Sequence, residues 1–152
     1  MGGVTKAVAI YPEPFWRQLG LSGTAFGPGQ PFGEVHDMSG PNGTPAVLFG
    51  FAQAPLADPA EAFVGQLTAL FGPKAAEPAQ VLVVDWGRQP FTAPTRLGLT
   101  SRYDLYGSPH LTTPSWAGRL HWASTETATT APGHIEGALA AAERTLGALL
   151  AG

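Results

Sequence analysis

Short apolar runs separated by clusters of Gly and Pro make up most of the chain, and only two stretches hold a helical period. Thr5–Tyr11 is apolar, rich in β-formers and closed by Pro12 and Pro14, which predicts a strand running into a turn. Gly23–Phe26 and Gly33–Met38 are shorter strand candidates, parted by the breakers Gly27, Pro28, Gly29 and Pro31. Ser39 through Pro45 reads as a loop of hairpin type, and Ala46–Ala52 as an almost unbroken apolar run, hence a buried strand. A helix is expected from a cap at or beside Asp58 to Gly72. It carries Ala62, Phe63, Leu67, Leu70 and Phe71 on one face and stops at Gly72-Pro73. Val81–Trp86 predicts another buried strand.

From Gly87 to Pro114 the pattern dissolves into Pro, Gly and Thr. A long irregular segment of this kind inside a domain is functional or poorly ordered. Arg119–Ala123 is strand-like, Ser124–Gly133 is a loop of small residues, and His134–Leu150 predicts a helix. Its apolar positions Ile135, Leu139, Ala142, Leu146 and Leu149 recur at steps of 4, 3, 4 and 3. No internal repeat or low-complexity tract is present.

Composition narrows the picture. A length of 152 residues suits one ordinary domain or part of a larger one. With charged residues at 12% and hydrophobic ones at 44%, a solvated, disordered tail is excluded. Net charge is −3 with eight Lys and Arg in all, which argues against nucleic acid and anionic membranes as partners. The absence of cysteine removes disulfides, thiolate metal sites and Cys nucleophiles. His36, His110, His121 and His134 are scattered, so no metal site is expected, and no Gly-x-Ser-x-Gly elbow occurs. Neither a signal peptide nor an apolar run of about 18–20 residues is found, so a cytoplasmic protein is expected.

The sharpest chemical signal is the junction from Ser124 through Gly133 into the last helix. Glycines there let backbone approach a flat or anionic ligand, and a helix front offers unpaired N–H groups and partial positive charge. That combination suits the pyrimidine edge of a flavin, which gains negative charge on reduction. Glu136 has a plainer reading, as an acid in the first turn complementing the helix dipole.

The stretch from Arg119 through Trp122, Ala123, Ser124, Thr125, Glu126, Thr127 and Ala128, continued by Gly133, His134, Glu136, Gly137, Ala138 and then Glu143-Arg144, closely resembles a motif of the flavin-containing monoamine oxidases. In them an aromatic-Ala-Gly-Thr-Glu-Thr-Ala stretch precedes Gly-aromatic-x-Glu-Gly-Ala and Gly-Glu-Arg-Ala. A second match opens the chain: Gly2, Val4 and Lys6, then Tyr11, Pro14-Phe15-Trp16-Arg17, Gly20-Leu21-Ser22-Gly23 and Asp37. Leu48-Phe49-Gly50-Phe51, Leu70-Phe71-Gly72 and Asp85-Trp86 follow in the family's order. The family's opening Gly-x-Gly-x-x-Gly occurs nowhere in the chain.

The resemblance implies an α+β chain from the C-terminal part of a flavin amine oxidase. Residues 1–113 would supply part of an antiparallel substrate-domain sheet with a covering helix. Residues 114–152 would supply the last strand, loop and helix of a Rossmann-type FAD domain. It also implies oxidation of a C–N bond in a small-molecule amine, with oxygen reoxidising the flavin. Lys6 aligns with the family's active-site lysine, which holds a water beside the flavin. A lysine in an apolar strand must otherwise snorkel to solvent.

Ser124, Thr125, Glu126, Thr127, Gly133, His134 and Ile135 would contact the cofactor, the three loop residues mainly through backbone. Ser124 replaces the family's usual glycine. His134 stands where monoamine oxidases place one tyrosine of an aromatic cage, and with Trp86 would face substrate. The other cage position and the FAD-anchoring cysteine fall near Thr95 and Arg96, so FAD would be held without a covalent link. Trp86 and Trp122 also read as core and pocket walls, and Phe15-Trp16-Arg17 as packing in which Arg17 pairs an acid. The chain alone is expected to be inactive, needing an N-terminal FAD-binding segment or a partner chain. A non-catalytic binding module, a flavin desaturase and a protoporphyrinogen-type oxidase stay open as alternatives.

Overall fold

The computed structural model describes residues 4–53, 55–90 and 103–151. The chain divides into two compact units, Met1–Thr100 and Ser101–Gly152. In the first, strands β1 (Thr5–Tyr11), β2 (Ala25–Phe26), β3 (Glu34–Asp37), β4 (Ala46–Ala52) and β5 (Gln80–Asp85) form one sheet in the order β2-β3-β4-β1-β5. Every pairing is antiparallel. The one-turn helix α1 (Phe15–Gln18) follows β1, and helix α2 (Pro59–Phe71) lies against β1 and β5. The Thr44–Pro45 peptide, just before β4, is cis.

Antiparallel strands bury one face by alternation. In β1, Thr5, Ala7, Ala9 and Tyr11 are buried while Lys6, Val8 and Ile10 are half-buried. The opposite strand keeps step: Ala46, Leu48, Gly50 and Ala52 share the buried face, with Ala7 across from Gly50 and Ala9 across from Leu48. These small side chains leave depth for large rings. Phe63 and Phe32 seat against Gly50, where an added Cβ would lie 2.9 Å from Phe63 and 2.8 Å from the Glu34 carbonyl. Their centroids are 4.6 Å apart. Helix α2 presents Phe63, Leu67 and Phe71 to this core, while Leu70 stays 43% exposed. Asp58 caps it by accepting from the Glu61 amide at 2.9 Å, and Gly72 ends it at φ 89°. Buried Gln66 holds the Phe32 backbone on both sides, accepting from its N–H at 3.0 Å and donating to its carbonyl at 2.7 Å.

At the other end of the core Tyr11, Phe15 and Trp16 meet edge-on with centroids 5.2–5.8 Å apart. The Tyr11 hydroxyl donates to the Ala75 carbonyl at 2.9 Å, and burial pushes its pKa up to about 12. Asp37, at the end of β3, ties this cluster to the sheet. Its carboxylate accepts from Trp16 Nε1 and Arg17 Nε, each at 2.8 Å, and from the Ser39 amide at 2.8 Å. The expected acid partner of Arg17 is therefore Asp37.

The β5 strand departs from expectation. Val81–Trp86 reads as buried, yet Leu82, Val83 and Val84 are 36–45% exposed. It is an edge strand paired only with β1, and its apolar run has no second neighbour among the described residues.

The second unit holds a one-turn helix α3 (Pro109–Thr112), short 3-10 turns at Tyr103–Leu105 and Thr125–Thr127, and helix α4 (Ile135–Ala151). The strand expected at Arg119–Ala123 does not form among the described residues. Leu120 bonds back to Ser115 in an isolated bridge, closed by Trp116, Ala117 and Gly118 at positive φ. The His121 ring donates to the Gly118 carbonyl at 2.8 Å, and side chains of α4 take the Trp122 carbonyl. These backbone groups are satisfied locally, and a strand needs a neighbour to share them. The apolar stripe of α4 also departs from expectation. Gly137 and Ala141 are its buried residues, while Ile135, Leu139, Leu146 and Leu149 are exposed.

Burial alone would raise the Asp37 carboxyl, but the bonds from Arg17, Ser39 and Trp16 outweigh it and hold it well below the usual carboxylate range. A depressed folded-state pKa contributes stability that is complete above the unfolded value of about 3.9 and is lost as pH falls below it. Asp37→Asn is expected to lower unfolding free energy near neutral pH by about 1.5–3 kcal/mol. It should also flatten the acid side of the stability curve, as read by urea unfolding across pH.

Candidate functional site

Two groups of expected site residues form, one in each unit. In the first, Lys6 sits on the half-buried sheet face, opposite Phe51 of β4 and Val84 of β5. The registers extend that row to Glu34 and Phe26, and the next row holds His36, Phe49, Val8 and Leu82. The ammonium lies over the Phe49 ring, 4.7 Å from its centroid, and 5.6 Å from that of Phe51. No carboxylate pairs with it among the described residues. From the other side of β4, His36 stacks on Phe49 with centroids 5.4 Å apart, and its Nε2 lies 3.3 Å from Glu34. Trp86 begins the 3-10 turn after β5, is 38% exposed, and its amide donates to the Val4 carbonyl at 2.9 Å beside the Lys6 strand.

In the second unit, Ser124, Thr125, Glu126, Thr127, Gly133, His134 and Ile135 come together at the front of α4. Thr125 closes the loop onto the helix: its hydroxyl accepts from the Gly133 amide and donates to the His134 carbonyl, each at 2.8 Å. The Ala131 carbonyl accepts from the His134 amide at 3.2 Å, and the first helical bond runs from the Ala138 amide to the His134 carbonyl at 3.1 Å. The amides of Ile135, Glu136 and Gly137 therefore stand ahead of the helical ladder. Gly133 adopts φ 84°, a conformation that favours glycine. Gly133, His134, Ile135 and Glu136 are all exposed, while Gly137 is buried against the Thr125 hydroxyl and the Ala131 carbonyl. This set of backbone donors fits the electron-rich carbonyl edge of a flavin.

The structure refines individual roles. Ser124 has φ −79° and ψ 161°, ordinary extended backbone that needs no glycine. Thr127 is buried, and its hydroxyl donates to the Ser124 carbonyl at 2.8 Å. The Glu126 carbonyl accepts from the Gly107 amide at 2.9 Å. Trp122, expected as a wall, is 44% exposed. Thr95 and Arg96 lie outside the described residues.

Sequence reasoning assigned no role to Arg144, although it is the strongest tie between helix and loop. Its guanidinium donates to the Thr127 carbonyl at 2.7 Å, the Trp122 carbonyl at 2.6 Å and the Thr127 hydroxyl at 3.0 Å. Thr145 adds a bond to the Trp122 carbonyl at 3.1 Å. Such charged bonds are roughly twice as strong as neutral ones. The available signal was the one basic residue of the helix, in the Glu143-Arg144 pair of the matching motif. Phe49 was likewise read as strand interior and as part of the matching Leu48–Phe51 stretch, with no role of its own. Among the described residues no group of His, Asp and Glu could hold a metal, and no helix is long and apolar enough to cross a membrane.

Comparison with known proteins bears on both groups at once. Residues 1–149 match the family model described as flavin containing amine oxidoreductase. A protein of Dictyostelium discoideum named as a flavin-containing monoamine oxidase A is 36% identical over 149 residues, covering 91% of this chain and 32% of that protein. Putrescine oxidase of Kocuria rosea is 33% identical, over 91% of this chain and 31% of its own length. A solved putrescine oxidase with putrescine bound superposes with a TM-score of 0.79 at 30% identity, covering 100% of this chain and 36% of that one. The chain thus spans about a third of the length of the curated relatives it matches.

Two glycines of α4 separate the loop constraint from helix propensity. A Cβ at Gly147 meets nothing within 4 Å, whereas one at Gly137 would collide with the Ala131 carbonyl and the Thr125 hydroxyl. Gly147→Ala is expected to raise stability by about 0.5–1 kcal/mol. Gly137→Ala should lower it despite the same propensity gain. Thermal melts followed by circular dichroism read both, and equal stabilisation would contradict the packing described.

Proposed function

The chain belongs to the family of flavin-containing amine oxidoreductases, and from that premise we propose that it is the C-terminal part of an FAD-dependent amine oxidase of the cytoplasm. Residues 1–113 then contribute part of the substrate domain and residues 114–152 the closing piece of the FAD domain. FAD, held without a covalent link, would supply the redox chemistry: it would take a hydride equivalent from the carbon beside the nitrogen of a small-molecule amine, the nitrogen losing a proton to give an imine, and would pass the two electrons to oxygen, which with two protons gives hydrogen peroxide.

The observation that carries this reading is the placement of Lys6. An ammonium on a half-buried aromatic sheet face, with no carboxylate to neutralise it among the described residues, is poorly explained as a structural ion pair. On the proposed reading it holds a water for the reoxidation step. The aromatic and aliphatic side chains around it exclude bulk solvent from the ammonium. At the α4 front Gly133 and His134 turn the chain into the helix, their own amides taken by Thr125 and Ala131, so that the Ile135 amide is the donor turned to the flavin edge, and Ser124, Thr125, Glu126 and Thr127 shape the loop behind it. His134 and Trp86 are assigned to the substrate side.

The exposed stripe Ile135, Leu139, Leu146 and Leu149 supports the companion proposal that further polypeptide covers α4. That polypeptide supplies the Gly-x-Gly-x-x-Gly turn that holds FAD pyrophosphate in dinucleotide-binding folds. The same stripe favours one second reading, a module that binds a partner without catalysis.

Flavin titration separates these readings. The chain alone is expected to leave the FAD spectrum unperturbed and to oxidise no amine. Joined by a polypeptide carrying the dinucleotide-binding turn, it should bind one FAD and release peroxide with an amine, and Lys6→Met should slow reoxidation in stopped-flow traces. Stoichiometric FAD binding and turnover by the chain alone would overturn the need for added polypeptide. An assembled complex that binds no flavin would leave the binding module in place of the oxidase.

A further inference from the structure

Lys6 extends from β1 diagonally across to Phe49 of β4, although Phe51 is its direct cross-strand partner. The nearer ring is therefore not the one that pairing alone would supply. Phe49 is itself fixed from two sides: its centroid is 5.5 Å from that of Phe51 at 80°, and 5.4 Å from the His36 ring on β3. Phe26 meets His36 edge-on at 5.6 Å, so a chain of rings runs from β2 to the lysine. A flexible four-carbon stem has many rotamers, and a half-buried ammonium without a carboxylate among the described residues is held in one of them by the negative face of an aromatic ring.

We propose that Phe49 is a positioning residue for Lys6: its ring face seats the ammonium, and His36 and Phe51 hold the ring. The inference rests on Lys6 being the working lysine of the proposed oxidase. It adds a residue that determines where the amine head group stands. Lys6 touches water and cofactor on that reading, whereas Phe49 acts through Lys6.

The sequence contains two lysines, Lys6 and Lys74, and the second is bonded to Glu13 at 3.2 Å, which makes it an internal reference. Proton–carbon NMR of the full chain should show the Lys6 ε-methylene signal displaced upfield by the Phe49 ring current and that of Lys74 at its ordinary position, with Lys74→Arg giving the assignment. Phe49→Leu should abolish the displacement, Phe49→Tyr should keep it, and Phe51→Leu should reduce it only partly. If Phe49→Leu fails to fold, pentafluorophenylalanine at position 49 keeps the ring's shape while reversing its electrostatic face, and should expel the ammonium. In the assembled, flavin-bound complex, Phe49→Leu should lower kcat about two- to fivefold with KM unchanged, and Phe49→Tyr should restore it. A Lys6 signal coincident with that of Lys74, or one unmoved by Phe49→Leu, would overturn the proposal. So would a displaced signal lost in Phe49→Leu with turnover unchanged. Absence of amine turnover in the wild-type complex would refute the oxidase reading separately, since the spectrum reports the seat without it.

Discussion

A β-strand shows each residue to one side only, and the pairing of β1 with β4 uses that restriction to keep packing and chemistry apart. Ala7, Ala9, Leu48 and Gly50 turn one way and make a shallow floor for Phe32, Phe63 and Leu67. Lys6, Phe49 and Phe51 turn the other way and stay half-buried. A register slip of one residue would exchange the two sets, placing an ammonium in the core and small side chains outside. The Lys6 arrangement therefore depends on features far from it, including the fit of Phe63 against Gly50 and the Gln66 clamp on Phe32. These fix how the helix sits on the sheet and so which face is closed.

The second unit is held by a different means. Its described part has little apolar interior: Ala128, Ala141, Gly137 and Thr127 are the buried residues. Polar bonds do the ordering instead. Arg144 gathers the carbonyls of Trp122 and Thr127, while the Thr125 hydroxyl bridges Gly133 and His134. Small residues at Gly137 and Ala141 let the loop lie close enough for those bonds to form. A guanidinium suits this task because its planar fork can serve several acceptors at once, which an ammonium does with less directionality.

Much of the first unit was legible in the sequence because its signals were local. Thr5–Tyr11 and Ala46–Ala52 were bounded by turn residues, and α2 carried both its Asp58 cap and its Gly72 stop. The Gly23–Phe26 strand shrank to Ala25–Phe26, because Gly23 takes φ 75° against the Trp16 ring. What the sequence hid were properties set by neighbours. Val81–Trp86 has a buried-strand composition but occupies an edge, and Arg119–Ala123 has strand composition without a ladder to join. The α4 period correctly marked a helix, yet period alone says nothing about which face is covered. Lys6 and the loop at Ser124–Thr127 were visible through family resemblance. Arg144 and Phe49 stood in the matching motifs as well, but their roles were not legible, since their effects depend on a carbonyl 17 or 22 residues away and on a lysine across the sheet.

The Thr125 bridge has a further consequence for how anything would arrive at the α4 front. Because one hydroxyl holds both the Gly133 amide and the His134 carbonyl, the curvature of the loop is set by internal bonds before a guest is present. Docking there spends no backbone entropy on arranging the loop. Residence at such a preorganised rim is governed by the shedding of hydration water and by the escape rate, and arrival does not wait on a slow folding event.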